Sequence, residues 1–176
     1  LNGCRQHRPK GCRGRADWAS IPRQDARMQV TLEAITPDNY EAVCDLEVSE
    51  AQQGFVASNT WSLVQAAFHP GYQTRAIRAD GEWVGFFMWV PETPQRMSIW
   101  RFMVDQRWQG RGIGRRALEL ALAQIRATPG LAEIEICYNP RNPVAGAFYG
   151  SFGFVETGMD DDGEDMLAVL PVAVPE

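Results

Sequence analysis

The sequence predicts a mixed α/β fold, with a mostly antiparallel sheet that carries helices on both faces. Strand-like patterns come first as an antiparallel run and later as a β-α-β unit, which together favour a mixed sheet. The chain has 176 residues, of which 45% are hydrophobic and 22% are charged, as expected for one globular domain. A strongly amphipathic helix, with apolar residues at i, i+3, i+4 and i+7, follows the third antiparallel strand.

The first half of the chain's body predicts one strand, two helices and an antiparallel run. Thr36-Pro37-Asp38 is typical of a helix N-cap followed by proline at the first helical position. His69-Pro70-Gly71 ends the second helix, and Asp80-Gly81 is a two-residue hairpin turn. The predicted elements are a strand at 29–35, helices at 37–46 and 59–68, and strands at 74–79, 83–91 and 97–104.

The second half predicts the longest helix, a β-α unit and a closing hairpin. Pro129-Gly130 ends the long helix, and Asn142-Pro143 is expected to cap the next one, with Gly153 at its C-terminal end. The predicted elements are a helix at 112–128, a strand at 134–138, a helix at 142–152, and strands at 154–159 and 165–169.

Charge divides the chain near residue 27. Residues 1–27 contain seven Lys or Arg and two Asp, whereas residues 28–176 contain 10 basic and 20 acidic residues. We expect 1–27 to be a flexible leader, a tag or an upstream translation artefact, because the first strand pattern opens at Met28. A basic arm for nucleic acid is the alternative, but Trp18 is its only aromatic residue and no periodicity supports it. Residues 28–176 are then predicted to form a single domain that binds no nucleic acid.

The sequence indicates no membrane span, no disulfide framework and no metal site. No apolar run approaches the ~20 residues of a membrane helix. The four cysteines form no C-x-x-C pair, and His69 is the only histidine after residue 27. The sequence therefore predicts no metal, no membrane partner and a cytoplasmic setting.

The most specific stretch is Gln109-Gly110-Arg111-Gly112-Ile113-Gly114-Arg115-Arg116. Alternating glycines let backbone N–H groups crowd together, and the start of a helix adds its positive dipole end, so the stretch favours a diphosphate. The three arginines could add charge-assisted contacts, although a solvated basic turn is the alternative. The absence of G-K-[S/T] excludes a P-loop NTPase. Residues 112–117 fit G-x-G-x-x-A, but a dinucleotide fold expects that motif after its first strand.

Residues 109–114 resemble the acetyl-CoA loop, Q/R-x-x-G-x-G/A, of the GNAT superfamily of N-acetyltransferases. The resemblance extends over 29–170 and includes the order of elements. Shorter stretches resemble the bacterial spermine/spermidine (diamine) acetyltransferase branch: 45–49 with Gln52, 84–86, 101–105, Tyr149 with 153–154, and 162–164.

The resemblance implies a splayed parallel strand pair that holds acetyl-CoA as co-substrate. In the family, an Asn at the position of Asn142 contacts the cofactor arm, and a Tyr at the position of Tyr149 protonates the departing thiolate. A half-buried structural tyrosine is the alternative. The implied cofactor-binding residues are Phe102, Met103, Val104, Gln109, Gly110, Arg111, Gly112, Ile113, Gly114, Arg115, Asn142 and Ala145.

The general base is left open by the sequence. Many relatives carry a carboxylate on the strand before the phosphate loop, whereas this chain has Ile99-Trp100-Arg101 there. Glu50 is the candidate catalytic base, with Glu47 or a carboxylate-bound water as alternatives. Glu47 and Glu50 also fit an exposed helix end without a catalytic role.

The acceptor is predicted to be a primary amine, with a polyamine such as spermidine or spermine implied by the branch resemblance. The acidic body, with its cluster at 160–165, would attract cations, and Trp61, Trp89 and Trp100 could line a cation-binding wall. A solvated hairpin tip and core tryptophans are the structural alternatives. Another amine (an aminoglycoside-like drug, an amino acid or a protein N-terminus) and a non-catalytic acyl-CoA-binding module remain rival functions, and a homodimer is left open.

Overall fold

The structure, a computed structural model, describes residues 28–172. Two short 3₁₀ helices, Glu50–Gln52 and Gln106–Trp108, precede α2 and α3. The strands and helices in chain order are β1 (Val30–Glu33), α1 (Tyr40–Cys44), α2 (Asn59–Phe68), β2 (Gln73–Ala79), β3 (Glu82–Thr93), β4 (Arg96–Val104), α3 (Ile113–Arg126), β5 (Glu133–Tyr138), α4 (Ala145–Gly150), β6 (Val155–Met159) and β7 (Met166–Pro171).

The described strands form one seven-stranded sheet in the order β1-β2-β3-β4-β5-β7-β6. Neighbouring strands pair antiparallel except β4 and β5, which pair parallel. The mixed, mostly antiparallel sheet predicted from the sequence is therefore confirmed.

Helices cover both faces of the sheet, and each face has its own apolar cluster. On one face α3 contributes Leu118, Leu122 and Ile125 to a cluster with Ile134 and Ile136 of β5. On the other face, residues from α1 and the following loop pack against β3 and β4. The buried members of this second cluster are Val43, Leu46, Ala76, Phe86, Met88, Val90 and Met103. Burial of these side chains supplies the main free energy that holds helices to sheet.

A β-bulge opens the sheet between β4 and β5. Met88 pairs with Arg101 and Trp89 with Ile99, so Trp100 is an extra residue in β4. The parallel pairing of β4 with β5 runs only from Arg96 to Ile99 and stops at the bulge. A bulge increases local twist and can terminate pairing. The remaining part of β4 therefore separates from β5, as the splayed pair implied by the family resemblance requires.

Two predicted helix starts are wrong. The helix predicted from residue 37 begins at Tyr40. Asn39 Oδ1 accepts a hydrogen bond from the Thr36 N–H, and Asn39 Nδ2 donates one to the Ala34 carbonyl. These two hydrogen bonds form a turn before the helix can start. Asn142 does not cap α4, which begins at Ala145. Its Oδ1 instead accepts the Val144 N–H across a turn at 3.3 Å.

Asp105 fastens the end of β4 to the loop after α1. Its carboxylate is 2% exposed. It accepts three hydrogen bonds from Arg107, through the backbone N–H, Nε and Nη2, and one from the backbone N–H of Glu47. The N–H of Gln106 donates to the Glu47 carbonyl at 2.9 Å. Burial alone raises the pKa of Asp105, but these hydrogen bonds outweigh it and hold the pKa below its ordinary value.

Replacing Asp105 by Ala should destabilise the fold by about 2 kcal/mol, because it removes a buried carboxylate that accepts four hydrogen bonds. A group whose pKa is depressed by folding stabilises above its unfolded pKa, so this contribution is present at neutral pH and is lost as pH falls through the folded pKa. Urea unfolding at pH 7 and at pH 3 measures it. The difference between wild type and Asp105→Ala should shrink at pH 3, and an equal difference at both pH values would contradict the assignment.

The expected leader at 1–27 lies outside the described residues. Within 28–172, no helix has the length and apolar character needed to cross a membrane.

Candidate active site

The split between β4 and β5 opens into a cleft of about 450 Å³. Its walls come from the free part of β4, the end of β5, the loop that starts α3, and the first turns of α4. The loop between α1 and α2 closes one side with Val48, Gln52, Phe55 and Val56. The cleft therefore joins elements that lie far apart in the sequence.

The loop before α3 presents a row of free backbone donors. Gly110 and Gly112 have φ of +74° and +78°, a left-handed conformation that favours glycine, and a Cβ at either position would meet only open space. Among residues 28–172, the amides of 109–115 donate no hydrogen bond. Free amides at the N-terminus of a helix suit an anion such as a diphosphate, which is the ligand that the sequence predicts for this loop.

The arginines of this loop point in different directions. Arg115 lines the cleft, where its Nη2 donates to Ser151 Oγ at 2.8 Å and its guanidinium lies over the Phe152 ring. The Arg111 guanidinium lies 4.8 Å from the centre of the Trp108 ring and donates to the Arg107 carbonyl, in a hollow outside the cleft. Arg116 pairs with Glu119 on the helix surface. Of these three arginines, Arg115 is the one whose side chain lines the cleft.

Phe102, Met103 and Val104 form the β4 wall of the cleft. The Val104 carbonyl accepts a hydrogen bond of 2.8 Å from Gln109 Nε2, which also donates to Gln52 Oε1 at 3.0 Å. Gln109 therefore links the loop before α3 to β4 and to the loop before α2. The carbonyl of Val104, the last residue of β4, is already hydrogen-bonded by this side chain.

Gly114 lies on the wall of the cleft, beside three of its apolar side chains. A Cβ at this position would lie 3.6 Å from Phe102, 3.8 Å from Val104 and 3.9 Å from Phe148, all of which line the cleft. A larger side chain would project from there into the cleft. Free amides beside an apolar wall suit a ligand with a diphosphate head and an apolar arm, which is the chemistry of coenzyme A.

Tyr149 lies on α4 and lines the cleft, and it packs against the apolar cluster that α3 and β5 form. Its ring packs against Tyr138, Phe148 and Phe154. Burial raises the pKa of Tyr149 well above its ordinary value, and the nearby Cys137 and Tyr138 raise it further. The hydroxyl therefore stays protonated at neutral pH, so it can donate a proton or a hydrogen bond and is not an anion.

Cys137 and Tyr138 end β5 at the cleft, and neither is ionised at neutral pH. Burial raises the pKa of the Cys137 thiol. Burial and a 2.5 Å hydrogen bond to Glu156 Oε1 raise the pKa of Tyr138 to about 12. The protonated thiol of Cys137 is a poor nucleophile.

The structure brings most of the predicted site residues together. All of the predicted cofactor-binding residues except Arg111 line the cleft, including Asn142 and Ala145, and Tyr149 lies among them. Glu50 does not line the cleft; it is exposed at the start of a 3₁₀ helix. Glu47 lines a separate hollow of about 210 Å³ beside Met103. The geometry of the cleft therefore gives no support for a base role of Glu50.

The wall before α2 was not predicted from the sequence, where Gln52 and Val48 stand out only within the branch resemblance. Val48, Phe55 and Val56 are apolar residues in a loop, and an apolar loop between two short helices is a signal that a ligand or partner covers it. The hydrogen bond between Gln109 and Gln52 has no local signal, because it joins residues 57 positions apart.

Known proteins resemble this chain in sequence and in fold. Residues 36–154 match the family model "Acetyltransferase (GNAT) family". A spermine/spermidine N(1)-acetyltransferase of Bacillus subtilis (strain 168) is 28% identical over 148 residues, which cover 80% of this chain and 97% of that protein.

Two solved structures share the fold. One is the spermidine N-acetyltransferase of Vibrio cholerae in complex with CoA and spermine, with a TM-score of 0.67 and 16% sequence identity. The match covers 82% of this chain and 96% of the Vibrio cholerae chain. The other is a GNAT family acetyltransferase of Elizabethkingia anophelis with acetyl-CoA bound, with a TM-score of 0.60 and 13% sequence identity. The match covers 83% of this chain and 99% of the Elizabethkingia anophelis chain. Because the matched region is more than half of the chain, this chain belongs to the acetyltransferase (GNAT) family.

Proposed function

We propose that this chain transfers the acetyl group of acetyl-CoA to a primary amine of a polyamine such as spermidine or spermine. The observation that carries the proposal is a single cleft lined both by the loop with free amides at 109–115 and by the protonated Tyr149. Within residues 28–172, no group of His, Cys, Asp or Glu side chains is placed to hold a metal ion.

The cleft supplies separate contacts for the two parts of the co-substrate. The diphosphate would accept hydrogen bonds from the loop amides and from Arg115. The arm would lie along the free edge of β4 beside Phe102 and Val104, in the manner of an added strand. Asn142 and Ala145 would close the channel from the start of α4.

The reaction would be a direct transfer. The amine nitrogen attacks the thioester carbonyl carbon, a main-chain N–H of the free part of β4 stabilises the oxyanion, and the carbon–sulfur bond then breaks. Tyr149 gives its hydroxyl proton to the departing thiolate. A covalent intermediate on Cys137 is disfavoured because burial keeps that thiol protonated.

A polyamine acceptor is supported by charge and by the relatives. Asp160, Asp161, Asp162, Glu164 and Asp165 cluster between β6 and β7, so they would raise the encounter rate of cations with this edge of the protein. The Bacillus subtilis protein acts on spermine and spermidine by its name, and it aligns over most of this chain.

An acceptor panel tests the proposal. The full chain is incubated with acetyl-CoA and, separately, with spermidine, spermine, putrescine, an aminoglycoside, an amino acid and a short peptide, and thiol release is followed together with the mass of the product. We expect thiol release to be fastest with a polyamine. Faster turnover of another amine would overturn the polyamine assignment, and tight acetyl-CoA binding without turnover of any amine would favour a non-catalytic module.

A further inference from the structure

The cleft is lined from both faces of the sheet. Phe102 and Tyr149 pack with the first apolar cluster, on the side of α3, and the proposed co-substrate lies against them. The residues that line the cleft and pack with the second cluster, on the side of α1, are Val48, Val56, Trp100 and Met103. Because the co-substrate would take the first side, the second side is left for the acceptor amine.

Trp100 lies where the split begins. The parallel ladder of β4 and β5 ends at the pairing of Ile99 with Ile136, and Trp100 is the next residue of β4 and lines the cleft. Tyr138 of β5, two residues beyond the ladder, packs against Tyr149 with ring centres 5.6 Å apart. The Trp100 side chain and the Tyr149 contact therefore lie within two residues of the same point, where the sulfur that Tyr149 protonates would also lie.

The indole of Trp100 is held in place by its neighbours. Its Nε1 donates to Glu92 Oε1 at 2.8 Å, and Tyr72 meets the ring edge-on with centres 5.3 Å apart. The Arg101 guanidinium lies 5.9 Å from the ring centre. Because a cation already lies near this ring, the indole is suited to apolar contact with an alkyl chain rather than to a second cation.

Glu92 is an exposed carboxylate near the end of β3. Among residues 28–172, no cationic side chain lies within 4.0 Å of it, and the nearby Arg96 pairs with Glu133 and Glu135 instead. The Trp100 N–H occupies Oε1, so Oε2 is available to another donor. The described residues that line the cleft include no Asp or Glu. One indole therefore separates a cleft without carboxylates from a carboxylate without a cation.

We propose that Trp100 and Glu92 form a subsite that selects a diamine or polyamine over a monoamine. The inference rests on the proposed acetyl transfer to an amine. The alkyl spacer of the acceptor would lie against the indole, and the ammonium that is not acetylated would donate to Glu92. The reacting nitrogen would lie inside the cleft, where desolvation favours the neutral amine that attacks the thioester.

The test compares putrescine with butylamine, which has the same carbon chain and lacks the second nitrogen. The full chain is assayed with saturating acetyl-CoA, and kcat/KM is measured for each amine. Wild type should prefer putrescine by at least about 10-fold. Glu92→Gln should lower kcat/KM for putrescine about 5-fold and leave that for butylamine unchanged. Since Glu92 is exposed, this variant should fold like wild type.

Trp100→Phe separates the two contacts of the indole. Phenylalanine keeps an apolar ring beside the spacer but lacks the N–H that holds the carboxylate. The preference for putrescine should therefore fall about 3-fold, while kcat/KM for butylamine changes less than about 2-fold. In the Glu92→Gln background the same substitution should lower the preference no further, because the two residues act as one unit.

Glu82→Gln and Trp61→Phe are the matched controls. Glu82 is exposed at the opposite end of β3, and Trp61 is 58% exposed on α2, away from the cleft. Neither control should change the preference for putrescine.

Three results would count against these assignments. Equal kcat/KM values of wild type for the two amines, or a wild-type preference in Glu92→Gln, would overturn the subsite while acetyl transfer stands. Additive effects of Trp100→Phe and Glu92→Gln would overturn the role of Trp100 in holding the carboxylate. Failure of wild type to acetylate any amine would remove both this proposal and the proposed function.

Discussion

Replacing Tyr149 by Phe should lower kcat about 100-fold and leave the affinity for acetyl-CoA unchanged. The phenylalanine ring keeps the packing against Tyr138, Phe148 and Phe154, so the variant removes the hydroxyl and little else. Without that hydroxyl, the thiolate must leave unprotonated or take a proton from water. Steady-state kinetics with the best acceptor measure kcat, and a binding titration with acetyl-CoA measures affinity.

Tyr40→Phe is the matched control. Tyr40 is exposed on α1 and its hydroxyl donates to Glu41, so its loss should not change turnover. Because burial raises the pKa of Tyr149, the wild-type rate should show no loss from tyrosine ionisation up to its ordinary pKa of about 10. Equal kcat values for wild type and Tyr149→Phe would remove Tyr149 from the chemistry.

Replacing Gly114 by Leu should raise the KM for acetyl-CoA about 100-fold, a loss on the scale of overpacking a well-filled site. The Leu side chain would extend past Phe102, Val104 and Phe148 into the channel proposed for the arm of the co-substrate. The measurement is the acetyl-CoA concentration dependence of thiol release.

Gly114→Ala separates obstruction from a change in the helix. Its Cβ fits at ordinary van der Waals distances of 3.6 to 3.9 Å, and alanine is a better helix former than glycine at this position of α3. The Ala variant should therefore keep a KM within a few-fold of wild type and unfold at a slightly higher temperature. A Leu variant that folds and binds acetyl-CoA like wild type would show that the arm lies elsewhere.

The order of elements and the anion loop could be predicted because their signals are local. Glycine at 110 and 112 marks a backbone that needs positive φ, and the apolar spacing after Ile113 marks one face of a helix. The bounds of α2 agree with the prediction because Ser58, just before it, accepts the Trp61 N–H as an N-cap.

The remaining features depend on contacts distant in sequence. The helix does not start at the position that Pro37 predicts, because the Asn39 side chain forms hydrogen bonds with Ala34 and Thr36 and so holds a turn there. No local pattern indicates that Gln109 donates a hydrogen bond to Gln52. Asn142 lines the cleft as the resemblance implies, but it closes a turn rather than caps a helix.

Calorimetric titration of the full chain with coenzyme A and with pantetheine tests most directly whether the amides of 109–115 bind a diphosphate. The two ligands share the arm and the thiol, but only coenzyme A carries the diphosphate. We expect coenzyme A to bind in a one-to-one complex and pantetheine to bind at least about 100-fold more weakly, because it forgoes the charge-assisted hydrogen bonds of the loop. Equal affinities, or no heat with coenzyme A, would contradict the account.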